Sequence, residues 1–160
     1  MPTGEENWGT RRRSVEGKGN PMSTPHNAGP QLVRRSREAL SALALQFLLG
    51  MGANLMGSPE ENSGIGSVIA GLLLGLHALV GIGVIVVAVR VWLVARRVGI
   101  AQSAALWAFI VIILTFLAGI GTMFTGSEWL SFLMSVGFVV AAALYVAIGA
   151  IALKFHPATP

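Results

Sequence analysis

The chain has 160 residues, of which 54% are hydrophobic and only 11% are charged. A soluble domain carries about a quarter charged residues, so this composition indicates a membrane protein. The chain has no cysteine, which excludes disulfides, thiolate metal sites and cysteine nucleophiles. The net charge of +4 would suit a nucleic acid partner, but the distribution of the basic residues indicates an anionic membrane surface instead.

Residues 1–37 form a polar segment rich in Gly, Pro, Ser and Asn. The segment holds too little apolar surface to offset the entropy of ordering, and we expect a disordered cytoplasmic arm. It does not resemble a signal peptide, because the apolar run begins too late, is too long and lacks a cleavage pattern. The basic residues of the arm are Arg11, Arg12, Arg13, Lys18, Arg34, Arg35 and Arg37.

A transmembrane domain is predicted over 38–157, because four long apolar runs follow the arm. The predicted helices span 39–58, 63–94, 98–127 and 129–153. Each can cross about 30 Å of hydrocarbon at roughly 1.5 Å per residue, and lipid cannot satisfy the backbone of any open structure. Pro59 closes the first helix and Pro157 stops the fourth. The predicted fold is therefore an all-α, up-down four-helix transmembrane bundle.

The orientation follows from the charges, because all eleven Lys and Arg residues fall on one side of the predicted helices. Beyond the arm they are Arg90, Arg96, Arg97 and Lys154. The opposite connections carry Glu60, Glu61 and Glu128 and no basic residue. The positive-inside rule then places both termini in the cytoplasm, with the helices in the plasma (inner) membrane. We expect the residues nearest the bilayer to contact anionic inner-leaflet lipids: Arg34, Arg35, Arg37, Arg96 and Arg97.

Gly71 and Gly75 form a GxxxG pair in the second helix, and Ala78 continues the same small face. Small residues let helix backbones approach closely, so this face is predicted to pack against another helix. Two interpretations are open. The commoner one is ordinary packing inside the bundle, and the other is an interface with a second copy or another membrane protein.

His77 is the one ionisable side chain deep in any predicted span, about twelve residues into the second helix. Intramembrane ionisable residues raise a functional hypothesis by default. His77 could hydrogen-bond another helix, ligate haem b, or relay protons or bind a small ligand. The available polar partners are Gln46, Asn54, Thr115, Ser131, Ser135 and Tyr145. Gln46 and Asn54 lie eight residues apart on one helix face, where they could form a polar seam or join helices.

A haem site within one chain would need a second axial ligand at the depth of His77. His26 lies in the arm and His156 at the inner end of the fourth helix, so neither qualifies. A second His77 across a dimer would serve, or a methionine, which is more often a gap-filling core residue than a ligand. The intramembrane methionines are Met51, Met56, Met123 and Met134.

The stretches GLHALVGIGVIVVAVRVWLVARR at 75–97 and LAGIGTMFTGSEWLSFLMSVGFVVAAALYVAIG at 117–149 resemble a group of small four-helix bacterial membrane proteins, common in actinobacteria. That group shares a histidine early in helix two, a small-residue turn, a Ser- and Met-containing start to helix four, and a late tyrosine. The matching positions here are His77, Gly119 to Gly126, Ser131 to Ser135, and Tyr145. The resemblance covers about 39–153 and implies the four-helix fold, but no activity.

The sequence lacks a P-loop, HExxH, GxSxG and a plausible acid–base pair, so we predict no enzymatic activity. The leading hypothesis is an accessory or assembly partner of a membrane complex, acting through Gly71 and Gly75 without cofactor or metal. One alternative is a haem-binding or redox-associated bundle centred on His77. The other is a small-solute channel or carrier that depends on Gln46, Asn54 or His77, although ion-coupled carriers usually need an intramembrane carboxylate.

Overall fold

A computed structural model describes residues 28–155, which form helices joined by short connections. The helices of this described part are α1 (Ala28–Met56), α2 (Ile65–Val98), α3 (Gln102–Thr125) and α4 (Glu128–Lys154). All of them are long and apolar enough to cross a membrane. The bounds of α2, α3 and α4 differ from the predicted ones by at most four residues. The described part of the chain is thus all-helical, as the hydropathy pattern predicts.

The start of α1 corrects the sequence analysis, because the helix begins at Ala28 and not at 39. Residues 28–37, assigned above to a disordered arm, are therefore helical. The physical reason is a stripe of small and apolar residues at helical spacing that the polar composition of this stretch obscures. Its buried members are Leu32, Ser36, Ala39 and Leu43. The rest of the predicted arm, with Arg11, Arg12, Arg13, Lys18 and His26, lies outside the described residues, as do His156 and Pro157.

The helices pack in a ring, in which α1 and α3 each contact both α2 and α4. Along the interfaces, contacting residue numbers rise on one helix as they fall on the next. For example, Gly119 lies beside Met134 whereas Thr115 lies beside Gly137. The tight connections depend on glycine, since Gly99 and Gly126 end α2 and α3 with φ values of 77° and 63°.

The buried core lies toward one end of the ring. Its members are Leu32, Ala39, Leu43, Val84, Ala88, Val91, Ala95, Ala105, Ala108, Ile112, Ala141, Tyr145, Ile148 and Ala152. The many alanines let the helices approach closely at this end, which also carries the described basic residues and is called the basic end below. Toward the other end, over 44–82 and 113–140, most large apolar side chains are exposed. So much exposed apolar surface suits a lipid environment.

Candidate functional site

His77 and Gln46 join α2 to α1 by a side-chain hydrogen bond, with 3.1 Å between the two Nε2 atoms. Both side chains are half-buried. Gln46 is thus the partner that the structure selects from the six candidates. Thr115 and Ser135 instead donate to backbone carbonyls in their own helices. Tyr145 is buried in the apolar core at the basic end.

Each member of this pair lies against a glycine of the opposite helix. A Cβ atom added to Gly50 of α1 would lie 2.8 Å from Cε1 of His77. A Cβ atom added to Gly81 of α2 would lie 3.2 Å from Nε2 of Gln46. Gln46, Gly50, His77 and Gly81 form a reciprocal arrangement that we call the polar clasp. In both helices the glycine follows the polar residue by four positions, about one turn.

Gln46 and His77 are among the residues predicted from the sequence, whereas Gly50 and Gly81 are not. A signal for them exists in the chain, because QFLLG at 46–50 and HALVG at 77–81 have the same spacing. A polar residue followed one turn later by glycine offers a hydrogen-bonding group beside a gap on the same helix face. Two such motifs on antiparallel neighbours can interlock, as they do here.

The polar clasp leaves two atoms, Oε1 of Gln46 and Nδ1 of His77, buried with no hydrogen-bond partner among the described residues. The position of the ring proton on His77 and the orientation of the Gln46 amide are inferred from the hydrogen bond, and they can be reversed together. If the amide is turned over, Nε2–H of His77 donates to the Gln46 oxygen, and Nδ1 presents a lone pair toward Gly50. In either arrangement one buried atom of each side chain has no partner among the described residues, and one hydrogen bond joins α1 to α2 whichever side chain donates.

A haem does not fit the residues around His77. An axial bond to haem iron requires an imidazole nitrogen that faces open space. In His77, Nε2 faces Gln46 and Nδ1 faces Gly50. A dimer that meets at Gly75 would not bring two His77 rings together either. His77 follows Gly75 by two residues and is therefore turned about 160° away from it around α2, so a dimer through Gly75 keeps the two histidines apart.

The polar seam proposed for Gln46 and Asn54 does not form. Gln46 lies in the α1–α2 interface, whereas Asn54 is exposed. Eight residues leave an angle of about 80° between two side chains, which is enough to separate an interface position from an outward one. Gln46, Asn54 and His77 therefore do not line a common path.

Gly71 and Gly75 are exposed on the outer side of α2, and Ala78 is half-buried. A Cβ atom on Gly75 would meet no atom within 4 Å, and one on Gly71 would meet only the Pro59 ring at 3.9 Å. The interpretation that these two glycines pack inside the bundle is therefore wrong for the described part of the chain. The glycines that do contact neighbouring helices closely are Gly29, Gly50, Gly81, Gly119, Gly121, Gly137 and Gly149.

The basic end has a cleft of about 410 Å³ between α1 and α2, lined by Pro30, Gln31, Arg34, Arg35 and Val94. The two arginines share one carboxylate. Nε of Arg34 lies 3.1 Å and Nη1 of Arg35 lies 2.7 Å from the oxygens of Glu38. The other predicted lipid-contact residues, Arg37, Arg96 and Arg97, are exposed.

Comparisons with known proteins give no match with any family model, curated protein or solved structure. The resemblance to small four-helix bacterial membrane proteins therefore stays a prediction.

Proposed function

We propose that this chain is a non-enzymatic multi-pass membrane protein that assembles with a second copy or with another membrane protein. Its helices cross the plasma (inner) membrane as an up-down bundle, with both termini in the cytoplasm. The contact is made by the outward face of α2 that contains Gly71 and Gly75.

The membrane part of the proposal is supported by the apolar helices and by the distribution of charge. The basic residues of α1, of α2 and of the end of α4 lie together, and the glutamates of the α1–α2 and α3–α4 connections lie at the opposite end. The opposed residue numbering along the helix contacts suits an up-down bundle. The positive-inside rule then orients the basic end toward the cytoplasm.

The observation that carries the assembly proposal is the exposure of Gly71 and Gly75. Between helices in lipid there is little hydrophobic driving force, so association depends on close van der Waals packing at small residues. The two glycines form a shallow groove, beside which Leu72 and Leu79 stand exposed. A groove beside a ridge is the shape that another helix can pack against.

The two alternative functions receive less support from the contacts. A haem would need a ring nitrogen of His77 that faces open space, whereas Nε2 faces Gln46 and Nδ1 faces Gly50. A channel or carrier would need a polar path, whereas Gln46 and His77 bond to each other and Asn54 is exposed. The polar clasp is better explained as a bond that holds α1 to α2.

The experiment compares tagged wild-type chain with Gly75→Leu and Gly83→Leu, each isolated from membranes in mild detergent. Gly83 is a matched control, because it lies on α2, is exposed, and has no atom within 4 Å of an added Cβ. We expect a near-stoichiometric partner, or a second copy carrying a different tag, with the wild type and Gly83→Leu. Gly75→Leu should reduce the recovered partner by about tenfold or more, the equivalent of roughly 1.4 kcal/mol. Equal recovery with all three chains would refute the proposal.

A further inference from the structure

We infer that the cleft between α1 and α2 at the basic end binds the phosphate headgroup of an anionic phospholipid. The inference rests on the proposed membrane orientation and goes beyond it, because it assigns one site and not a diffuse attraction to the inner leaflet. The walls of the cleft combine two arginines and a glutamine amide with the apolar surfaces of Pro30 and Val94.

The charge around the cleft is strongly positive. Arg34 and Arg35 line it from α1. On α2, Arg90 precedes Val94 by four residues and Arg97 follows it by three, so both share the face of α2 that lines the cleft. Among the described residues of this end, Glu38 is the one carboxylate. Two guanidinium groups line the opening, and Arg90 and Arg97 add positive charge about one turn away along α2. This charge suits an anion with several oxygens, since each guanidinium can present paired N–H donors to a phosphate.

Glu38 shows how the two arginines of α1 can share an anion. Its two oxygens accept hydrogen bonds from Nε of Arg34 and Nη1 of Arg35, and the side chain of Arg35 is only 34% exposed. The other N–H groups of both guanidiniums have no side-chain partner among residues 28–155 and can donate to a phosphate in the cleft. Glu38 therefore competes with the ligand for both arginines.

The position of the cleft favours a lipid over a free anion. Trp92 lies two residues from Val94, stacks on Phe109 and carries the Arg96 guanidinium 5.1 Å from its ring centre. Tryptophans at the ends of transmembrane helices lie at the level of the lipid headgroups. A headgroup phosphate would reach the arginines there, while the glycerol part contacts the apolar walls formed by Pro30 and Val94.

The test titrates the purified full chain, in neutral detergent, with phosphatidylglycerol and follows its melting temperature by tryptophan fluorescence. Ligand that binds only the folded state raises the melting temperature. We expect a saturable rise with phosphatidylglycerol, and none with phosphatidylcholine or with millimolar inorganic phosphate. A similar rise with inorganic phosphate would identify a free anion as the ligand and overturn the lipid assignment. No rise with any probe would overturn the site.

A charge-matched pair of variants separates the cleft from diffuse attraction. Arg35→Gln removes a cleft arginine, and Arg37→Gln removes an exposed arginine that does not line the cleft. Diffuse attraction predicts that both variants bind phosphatidylglycerol equally weakly, with an affinity about fivefold below that of the wild type. A site in the cleft predicts that the affinity for phosphatidylglycerol falls by at least about tenfold in Arg35→Gln and by about twofold or less in Arg37→Gln. Equal effects would contradict the inference.

Glu38→Gln gives a second test that does not depend on the folding of the Arg35 variant. Because this change removes the competing carboxylate, it should tighten phosphatidylglycerol binding, and unchanged or weaker binding would contradict the inference. Extraction of membranes at alkaline pH tests the proposed insertion separately. A chain that leaves the membrane would refute the proposed function, whereas the titration in detergent would still report on the cleft.

Discussion

Replacing Gly50 by alanine tests whether the polar clasp is closed as described. The new Cβ atom would lie 2.8 Å from Cε1 of His77, closer than real Cβ contacts allow. The imidazole must move, and the 3.1 Å contact with Gln46 must lengthen or break. Overpacking costs roughly 1–3 kcal/mol, and an interhelical hydrogen bond in a membrane averages about 0.6 kcal/mol.

Alanine also favours a helix over glycine, by about 1 kcal/mol, which offsets part of this cost. The net expectation for Gly50→Ala is a loss of about 1–2 kcal/mol in the free energy of unfolding. Gly83→Ala has the same propensity gain but an open site with no atom within 4 Å. We therefore expect glycine-to-alanine replacement to lower the free energy of unfolding at Gly50 and to raise it at Gly83.

The assay is equilibrium unfolding in mixed micelles, followed by tryptophan fluorescence. A third chain, Gly50→Ala combined with His77→Ala, removes the ring that the methyl group would meet. The double variant should be more stable, by at least about 1 kcal/mol, than the added losses of the two single variants predict, because the methyl group no longer meets the ring. The reasoning is refuted if Gly50→Ala stabilises the protein as much as Gly83→Ala does, or if the two changes add independently.

Two further predictions concern the α3–α4 contact and the orientation of the chain. Gly137→Ala should destabilise the protein by about 1–3 kcal/mol, because the new Cβ would collide with the Thr115 hydroxyl, and Thr115→Ala should relieve most of this loss in the same unfolding assay. Equal destabilisation in both backgrounds would contradict that packing. Because the chain has no cysteine, single cysteines at the exposed positions Ser63 and Ser103 can report its orientation. A membrane-impermeant thiol reagent should label Ser63→Cys on intact cells and Ser103→Cys only after permeabilisation, and the reverse pattern would invert the proposed topology.

Much of the fold could be predicted from the sequence, because hydropathy over long windows reports directly on apolar helices. The start of α1 could not be predicted in this way. Composition averages over a window, and the polar residues of 28–37 outweigh the narrow stripe that Leu32 and Ser36 begin. The signal that indicates a helix here is the spacing of Leu32, Ser36 and Ala39, at i, i+4 and i+7, and composition does not register it.

The candidate site was only partly predictable for a different reason. His77 was identified because an ionisable residue is rare in an apolar run, but its partner depends on the register between α1 and α2. The pair Gly71 and Gly75 has the same difficulty. A GxxxG pair indicates close approach of a backbone, but not which helix approaches. Here no other described helix contacts Gly71 or Gly75.

The measurement that tests the central proposal most directly is the molar mass of the protein component, determined by light scattering in mild detergent for the wild type, Gly75→Leu and Gly83→Leu. The proposal predicts a complex larger than one 16.7 kDa chain for the wild type and for Gly83→Leu, and a single chain for Gly75→Leu. A monomeric wild type, or a complex of unchanged mass with Gly75→Leu, would contradict assembly through the exposed face of α2.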